Sequence, residues 1–214
     1  AADVIVAPGT DAAWAAGGTG RWQELGAFVG GAGTGEPECF VGDRDPISYL
    51  YTSGTTSAPK GVVSSHVAVY IESLNAPLVL GIDGDERSVA MMPLFHTAQL
   101  NGFTTGVVYM GGTLVLMRAF DPGALLATIE AERITQIFGL PMMYRMMMDH
   151  PDIDKRDLST LRLALYAMAP MPDTDLRRAM EVFGCDFALG FGQTEMNPIT
   201  TVFPPEYQLS HAGS

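Results

Sequence analysis

The sequence is poor in cysteine and poor in positive charge. Only two cysteines, Cys39 and Cys185, occur in 214 residues. Two thiols so far apart make neither a disulfide framework nor the ligand spacing of a zinc site, and a reducing, cytoplasmic setting is the natural expectation. Twelve Lys and Arg stand against 24 Asp and Glu, a formal net charge of -12. A chain of that sign lacks the cationic surface that nucleic acid or an anionic membrane demands. A small anion is a different matter, because one lysine, a few amides and a metal ion suffice for a local site. Charge of either sign is missing between Arg87 and Arg118. A membrane span needs about 20 predominantly apolar residues, and "PLFHTAQLNG" and a Gly-Gly pair interrupt this stretch. A buried strand, helix and strand are expected there instead, with no membrane span. The opening "AADVIVAPGTD" shows no basic region ahead of an apolar run, the mark of a secretory leader. The chain does not begin with Met and stops at "SHAGS", so it is expected to be a piece of a longer protein.

What is present is enough for a globular core: 47% of the residues are hydrophobic. Residues 1–45 carry little pattern beyond a helix-like piece near Trp22–Phe28, set among glycines that read as loop. They are expected to form a loop-rich lead-in to an α/β domain over residues 46–214. From Pro46 onward, short apolar runs alternate with helical patterns. Strands are expected at Ile47–Thr52, Ser88–Pro93, Thr113–Met117, "TQIFGLP", "LRLALYAMA", "FALGF" and "ITTVF". Helices are expected at Val67–Leu80, Thr97–Tyr109, from Asp121 as N-cap to about Glu132, at "MMYRMMMDH", and from Pro172–Asp173 to Phe183–Gly184. Strand and helix alternate at least five times, which points to an α/β fold with a mostly parallel sheet and helices on both faces. Ligands of such sheets sit beyond the carboxyl ends of the strands.

The densest chemistry lies in "YTSGTTSAPKG". It is not a Walker A loop, which ends in Gly-Lys-Ser/Thr, and it is not the GxGxxG dinucleotide fingerprint. Its composition still suits phosphate. Thr52, Ser53, Thr55, Thr56 and Ser57 supply hydroxyl donors, Gly54 lets backbone amides approach an anion, and Lys60 adds a point charge. The expected setting is a loop that follows a strand and precedes a helix. A plain Ser/Thr-rich turn is the ordinary alternative.

These residues resemble the phosphate loop of the adenylate-forming superfamily, whose members include acyl-CoA synthetases, the adenylation domains of peptide synthetases, and firefly luciferase. "PLFHTAQLNG" (Pro93–Gly102) resembles the family segment beside the acyl pocket. "YAMAPMP" (Tyr166–Pro172) resembles its "GGAPL", and "LGFGQTE" (Leu189–Glu195) its "YGQTE". The four stretches follow in family order from Ile47 to the end of the chain. Ser57 replaces a loop glycine, and Ala167 and Met168 replace a glycine pair.

The resemblance implies a truncated piece of the large N-terminal domain of an ATP-dependent acyl-CoA synthetase, an acid–thiol ligase. A fatty or aryl carboxylic acid would be activated as acyl-AMP, with pyrophosphate released, and passed to coenzyme A. Thr52, Ser53, Gly54, Thr55, Thr56, Ser57 and Lys60 would hold the ATP phosphates. Thr52 and Glu195 would be Mg²⁺ ligands. Thr194 would bond the α-phosphate region. Phe191 would lie on one face of adenine and Ala167, Met168, Ala169 and Pro170 on the other, with Gly190, Gly192 and Gln193 also at the nucleotide. His96, Thr194 and Lys60 would be catalytic, with His96 near the carboxylate. Each has an ordinary alternative: Glu195 as a solvated loop carboxylate, His96 as a satisfied buried histidine, the methionines at 142, 143, 146, 147 and 148 as core rather than acyl tunnel. Homodimerisation is plausible through edges the missing parts would cover. On its own the chain is expected to be inactive, and a non-catalytic nucleotide-binding module or an inert remnant are the alternatives in function.

Overall fold

The computed structural model of the chain describes residues 4–6, 22–53 and 58–211. Residues 1–41 and 42–214 form two compact units. In the first, β1 (Val4–Val6) pairs in parallel with β2 (Trp22–Glu24), and α1 (Leu25–Val29) follows. The helix expected from Trp22 therefore starts three residues later, because the first three residues are drawn into strand pairing.

The second unit opens with an antiparallel hairpin, β3 (Pro46–Thr52) and β4 (Lys60–Ser65). This corrects the expected setting of the "TSGTTSAPKG" loop. It joins strand to strand, not strand to helix, because "KGVVSS" carries β-branched valines that pair with β3 before the helix begins. The hairpin is also a sheet of its own, separate from the central one. Helix α2 (His66–Leu80) follows at once, with Ser65 as N-cap: its hydroxyl accepts from the Ala68 N–H at 3.3 Å.

The central sheet has six strands in the order β10-β9-β8-β7-β5-β6. These are β5 (Arg87–Ala90), β6 (Thr113–Leu116), β7 (Gln136–Gly139), β8 (Leu163–Ala167), β9 (Asp186–Gly192) and β10 (Ile199–Phe203). All pairs are parallel except β9 with the edge strand β10. Both faces are covered, so the inner strands are apolar throughout rather than alternating. Neighbouring residues on a strand face opposite cores. Ile137, Ala164 and Phe187 pack under α4 (Pro122–Glu132), α5 (Pro141–Met148) and α6 (Asp173–Phe183). Phe138, Leu165 and Ala188 pack under α2 and α3 (Thr105–Tyr109). Asp121 caps α4 as its sequence position predicts, with Oδ1 accepting from the Ala124 N–H at 2.7 Å. The helix expected at Thr97–Tyr109 is divided: Ala98–Thr104 winds as a π-helix and only Thr105–Tyr109 is α-helical.

One partly buried ion pair ties the α2 side to the sheet. Glu86, whose side chain is fully buried, pairs with Arg162 and accepts a hydrogen bond from the Thr135 hydroxyl. Arg162 also donates to the carbonyls of Leu80 at 3.2 Å and Gly81 at 3.0 Å, closing the end of α2. Removing the arginine would leave a carboxylate in the interior without its cation. Arg162→Ala is expected to destabilise the fold by about 1–3 kcal/mol in urea unfolding, since the arginine is itself part-exposed. The double variant Glu86→Gln, Arg162→Met should lose much less, because no uncompensated charge remains.

Candidate functional site

Strands β5, β7, β8 and β9 end on one edge of the sheet, and β7 together with the segments that follow β5, β8 and β9 lines a cavity of about 570 Å³. That lies within the roughly 300–1,000 Å³ span of small-molecule sites. His96 comes from the segment after β5, Ala167–Pro170 from the end of β8 and beyond, and Gly190–Thr194 from β9 and its turn. Phe103, Phe138 and Ile199 form the apolar part of the wall. The two phenyl rings are stacked, with centroids 4.1 Å apart and planes 23° from parallel.

His96 is exposed, not a satisfied core residue. Its Nδ1 accepts from the Ala98 N–H at 3.1 Å. In the neutral ring the proton therefore sits on Nε2, leaving that nitrogen as a donor. Two buried amides, unassigned by the motif reading, fix the segment. Gln99 Oε1 accepts from the Met92 N–H at 3.2 Å, and Asn101 donates to the Thr97 hydroxyl at 2.9 Å. Their signal in the sequence is the polar pair inside an otherwise uncharged run.

Met168 lies on the cavity wall with φ at +67° and is 56% exposed. That is the left-handed region, which costs a long side chain about 1 kcal/mol. It stands where the resembling motif has glycine, the residue that this backbone conformation favours. Phe191, also exposed, presents its ring to the same cavity. Tyr166, just before this segment, is buried and donates to Gln208 Oε1 at 2.7 Å, and burial pushes its phenol up from the ordinary value.

Gly192 has a strict reason. A Cβ there would lie 1.7 Å from the Pro198 carbonyl oxygen. The β9–β10 turn folds back so closely that the Gln193 N–H donates to that same oxygen at 3.0 Å. Thr194–Met196 form a short 3₁₀ turn inside it, closed by Asn197 at φ +65°.

The remaining expected residues lie elsewhere. Thr52, Ser53 and Lys60 sit at the loop end of the β3–β4 hairpin, and Glu195 is exposed on the 3₁₀ turn; none of the four lines the cavity. Gly54, Thr55, Thr56 and Ser57 lie outside the described residues. β4 packs against the Thr194–Met196 turn. The Ser64 hydroxyl donates to Asn197 Oδ1 at 2.8 Å, so the hairpin is joined to the turn that carries Thr194 and Glu195. Of the α5 methionines, Met143, Met147 and Met148 are buried in the core and Met142 and Met146 face outward; none lines the cavity. Cys39 and Cys185 are free thiols, and burial raises Cys185 to about 12.

The sequence matches the model of the AMP-binding enzyme family over residues 4–214. The chain belongs to that family. Feruloyl-CoA synthase of Amycolatopsis sp. is 37% identical over 178 residues, which cover 83% of this chain and 36% of that enzyme. Indoleacetate–CoA ligase of Aromatoleum aromaticum is 34% identical over 174 residues, 81% of this chain and 34% of that one. The chain thus spans about a third of the length of these relatives. The fold agrees with the N-terminal domain of FACL13 from Mycobacterium tuberculosis: TM-score 0.89 at 24% identity, over 98% of this chain and 55% of that one. It agrees also with Bacillus subtilis O-succinylbenzoate coenzyme A synthetase solved with ATP and magnesium, at a TM-score of 0.85 and 23% identity, over 100% of this chain and 44% of that one.

Three substitutions test the geometry of the cavity. Gly192→Ala must push β9 and β10 apart and is expected to cost about 1–3 kcal/mol. Gly190→Ala, whose Cβ would meet nothing closer than 3.9 Å, should leave stability unchanged. Met168→Gly should be neutral or stabilising by up to about 1 kcal/mol, because relief of the left-handed strain offsets the lost side chain. Thermal and urea unfolding of the three variants beside the parent chain would check this.

Proposed function

We propose that this chain is the central nucleotide- and acyl-binding part of an ATP-dependent acid–thiol ligase acting on an aryl or fatty carboxylic acid. Residues 46–214 form the binding domain and 1–45 lead into it. The reading is carried by one observation: three motif segments far apart in sequence, at His96, Ala167–Pro170 and Gly190–Thr194, border a single cavity beyond the carboxyl ends of parallel strands. Relatives named for feruloyl-CoA and indoleacetate–CoA formation support an aryl acid.

In the first step, a carboxylate oxygen attacks the α-phosphorus of ATP, the bond to the bridging oxygen breaks, and pyrophosphate leaves. In the second, the thiol of coenzyme A attacks the acyl carbon and AMP leaves. Activation replaces a poor oxide leaving group with a phosphate ester. The chain's part is to hold charge and exclude misalignment. Lys60 and the hydroxyls of Thr52, Ser53, Thr55, Thr56 and Ser57, with the Gly54 backbone, hold the outer phosphates. Thr194 bonds the α-phosphate. Phe191 stacks on adenine, and the backbone of Ala167–Pro170 covers its other face, with Gly190, Gly192 and Gln193 lining the nucleotide. The Nε2–H of His96 donates to the carboxylate oxygen, orienting the other oxygen for attack.

The donor set also fits magnesium. A hard cation that keeps several waters needs only one or two protein oxygens beside phosphate, and the Thr52 hydroxyl and exposed Glu195 carboxylate are such oxygens. Bound there, the ion would neutralise charge developing on the phosphates. In this reading the enzyme works in the cytoplasm, and exposed edges of the chain make a homodimer reasonable.

Calorimetric titration of the chain with magnesium–ATP tests the reading. Saturable binding is expected, weakened at least about tenfold in a Lys60→Ala, Glu195→Ala variant, equivalent to about 1.4 kcal/mol. Equal binding by the variant would remove those two residues from the site. Absence of binding by a folded chain, restored in Met168→Gly, would mean that the thioether blocks adenine. A protein of the relatives' length containing this chain should exchange pyrophosphate into ATP when given its acid; binding without exchange would favour a non-catalytic nucleotide module.

A further inference from the structure

Helix α2 carries a carboxylate on its buried face that the proposed reaction does not use. Glu72 is 5% exposed, and its Oε1 accepts from the Ile199 N–H at 3.1 Å. Ile199 is the first residue of β10 and part of the cavity wall. It stands opposite Gly192 in the register, and the β9–β10 pairing is irregular between Ile199 and Thr201. The first amide of the edge strand is therefore turned to the helix. One residue pair earlier, the Ser64 hydroxyl holds Asn197 at 2.8 Å. Ser64 and Glu72 lie on β4 and α2, the two elements that follow the loop ending in Lys60. Asn197 and Ile199 close the turn that bears Thr194 and Glu195.

We propose that Glu72 is a positioning residue: its carboxylate grips the Ile199 amide and, with the Ser64–Asn197 bond, fixes the edge of the cavity formed by residues 194–199 to the unit that carries Lys60. The consequence for nucleotide binding rests on the function proposed above, whereas the grip itself does not. Among the described residues, Glu72 has no charged partner to hold it ionised. The neighbouring π-helix and β10 contain no ionisable side chains, Tyr109 on α3 is bonded at 3.3 Å to Tyr70, and the other ionisable residues on α2 and on β4, which packs against it, are His66 and Lys60. Burial raises its carboxyl from 4.5 to about 7, against the opposing effect of the bonds from Ile199 and Asn75. The folded chain thus holds this proton more tightly than the unfolded one. Its contribution to stability is full below about pH 4.5 and is lost as pH rises through about 7. The ionised carboxylate is the better acceptor, so the grip on Ile199 tightens over the range in which global stability falls.

The test follows the Ile199 amide by NMR in the free chain between about pH 5.5 and 8.5, bracketing the raised carboxyl. The proton shift of that amide is expected to titrate with a midpoint near 7 and its exchange protection to rise with ionisation. Glu72→Gln, which keeps an acceptor, should retain protection and flatten the titration. Glu72→Ala should lower Ile199 protection at least about tenfold while Ile137 and Leu165 in the sheet centre are unchanged. Persistence of the titration in folded Glu72→Gln would overturn the proposal, as would unchanged protection in Glu72→Ala; if Glu72→Ala fails to fold, the Glu72→Gln titration decides. With magnesium–ATP as probe, affinity should depend on pH through this midpoint in the parent chain and lose that component in Glu72→Gln. A pH-independent affinity beside a titrating Ile199 would separate the grip from nucleotide binding and overturn its functional part. Absence of any nucleotide binding beside the expected amide behaviour would count against the proposed function alone.

Discussion

The contact on which the site most depends is the approach of Gly192 to the Pro198 carbonyl. No side chain fits between them: a single added carbon would sit 1.7 Å from the oxygen. The closeness makes β10 double back on β9 with only six residues between the paired Gly192 and Ile199. Thr194 and Glu195 occupy that short return. Their position is set first by this backbone contact and then held by the Ser64 and Glu72 side chains, which gives the turn the stiffness a functional site requires. Everything else in the region adapts to it. Asn197 takes a left-handed conformation, Ser64 bonds its side chain, and Glu72 receives the amide that β9 cannot.

The sheet supplies the frame. Parallel strands bring their carboxyl ends to one edge, and the two covered faces prevent any strand from turning over. Cores under α4–α6 and under α2–α3 have different jobs. The first is large and built from Leu, Ile, Phe and Met, with Tyr144 closing it through a hydrogen bond to the Leu165 carbonyl at 2.5 Å. The second is smaller and includes Phe103 and Phe138, whose rings are also cavity wall. Ligand shape and core packing are thus one problem on that side of the sheet.

Much of this was legible in the chain of letters. The Asp121 cap with Pro122 behind it marks α4, and the alternation of short apolar runs with helical ones gives a parallel sheet covered on both faces. Three of the four motif stretches name most of the residues around the cavity. The errors have physical causes. "KGVVSS" reads as loop and helix entry because its two valines are flanked by small polar residues, and only cross-strand pairing with "ISYLYT" makes it a strand. Trp22–Glu24 joined a strand because a distant segment, Val4–Val6, was there to pair with it. The π-helical winding of Ala98–Thr104 leaves no periodicity signal in seven residues. Phe103, Phe138 and Ile199 were invisible as site residues because apolar side chains in strands and helices look alike whether they face a core or a cavity. Glu72 was hidden for the opposite reason: a lone carboxylate in a helix reads as surface until its fold-back partner is known.

The pairing of Thr52 with Lys60 carries a consequence for how the loop between them can change through descent. The two residues close a ladder that runs unbroken from Ser48–Ser64, so the ends of the loop are fixed points. Lengthening the loop between them would cost only the slow logarithmic entropy of a larger ring. Moving either end by one position would turn Lys60 to the other side of the hairpin, since side chains alternate along a strand. Drift in the loop's interior is therefore cheap and drift at its two hinges is not.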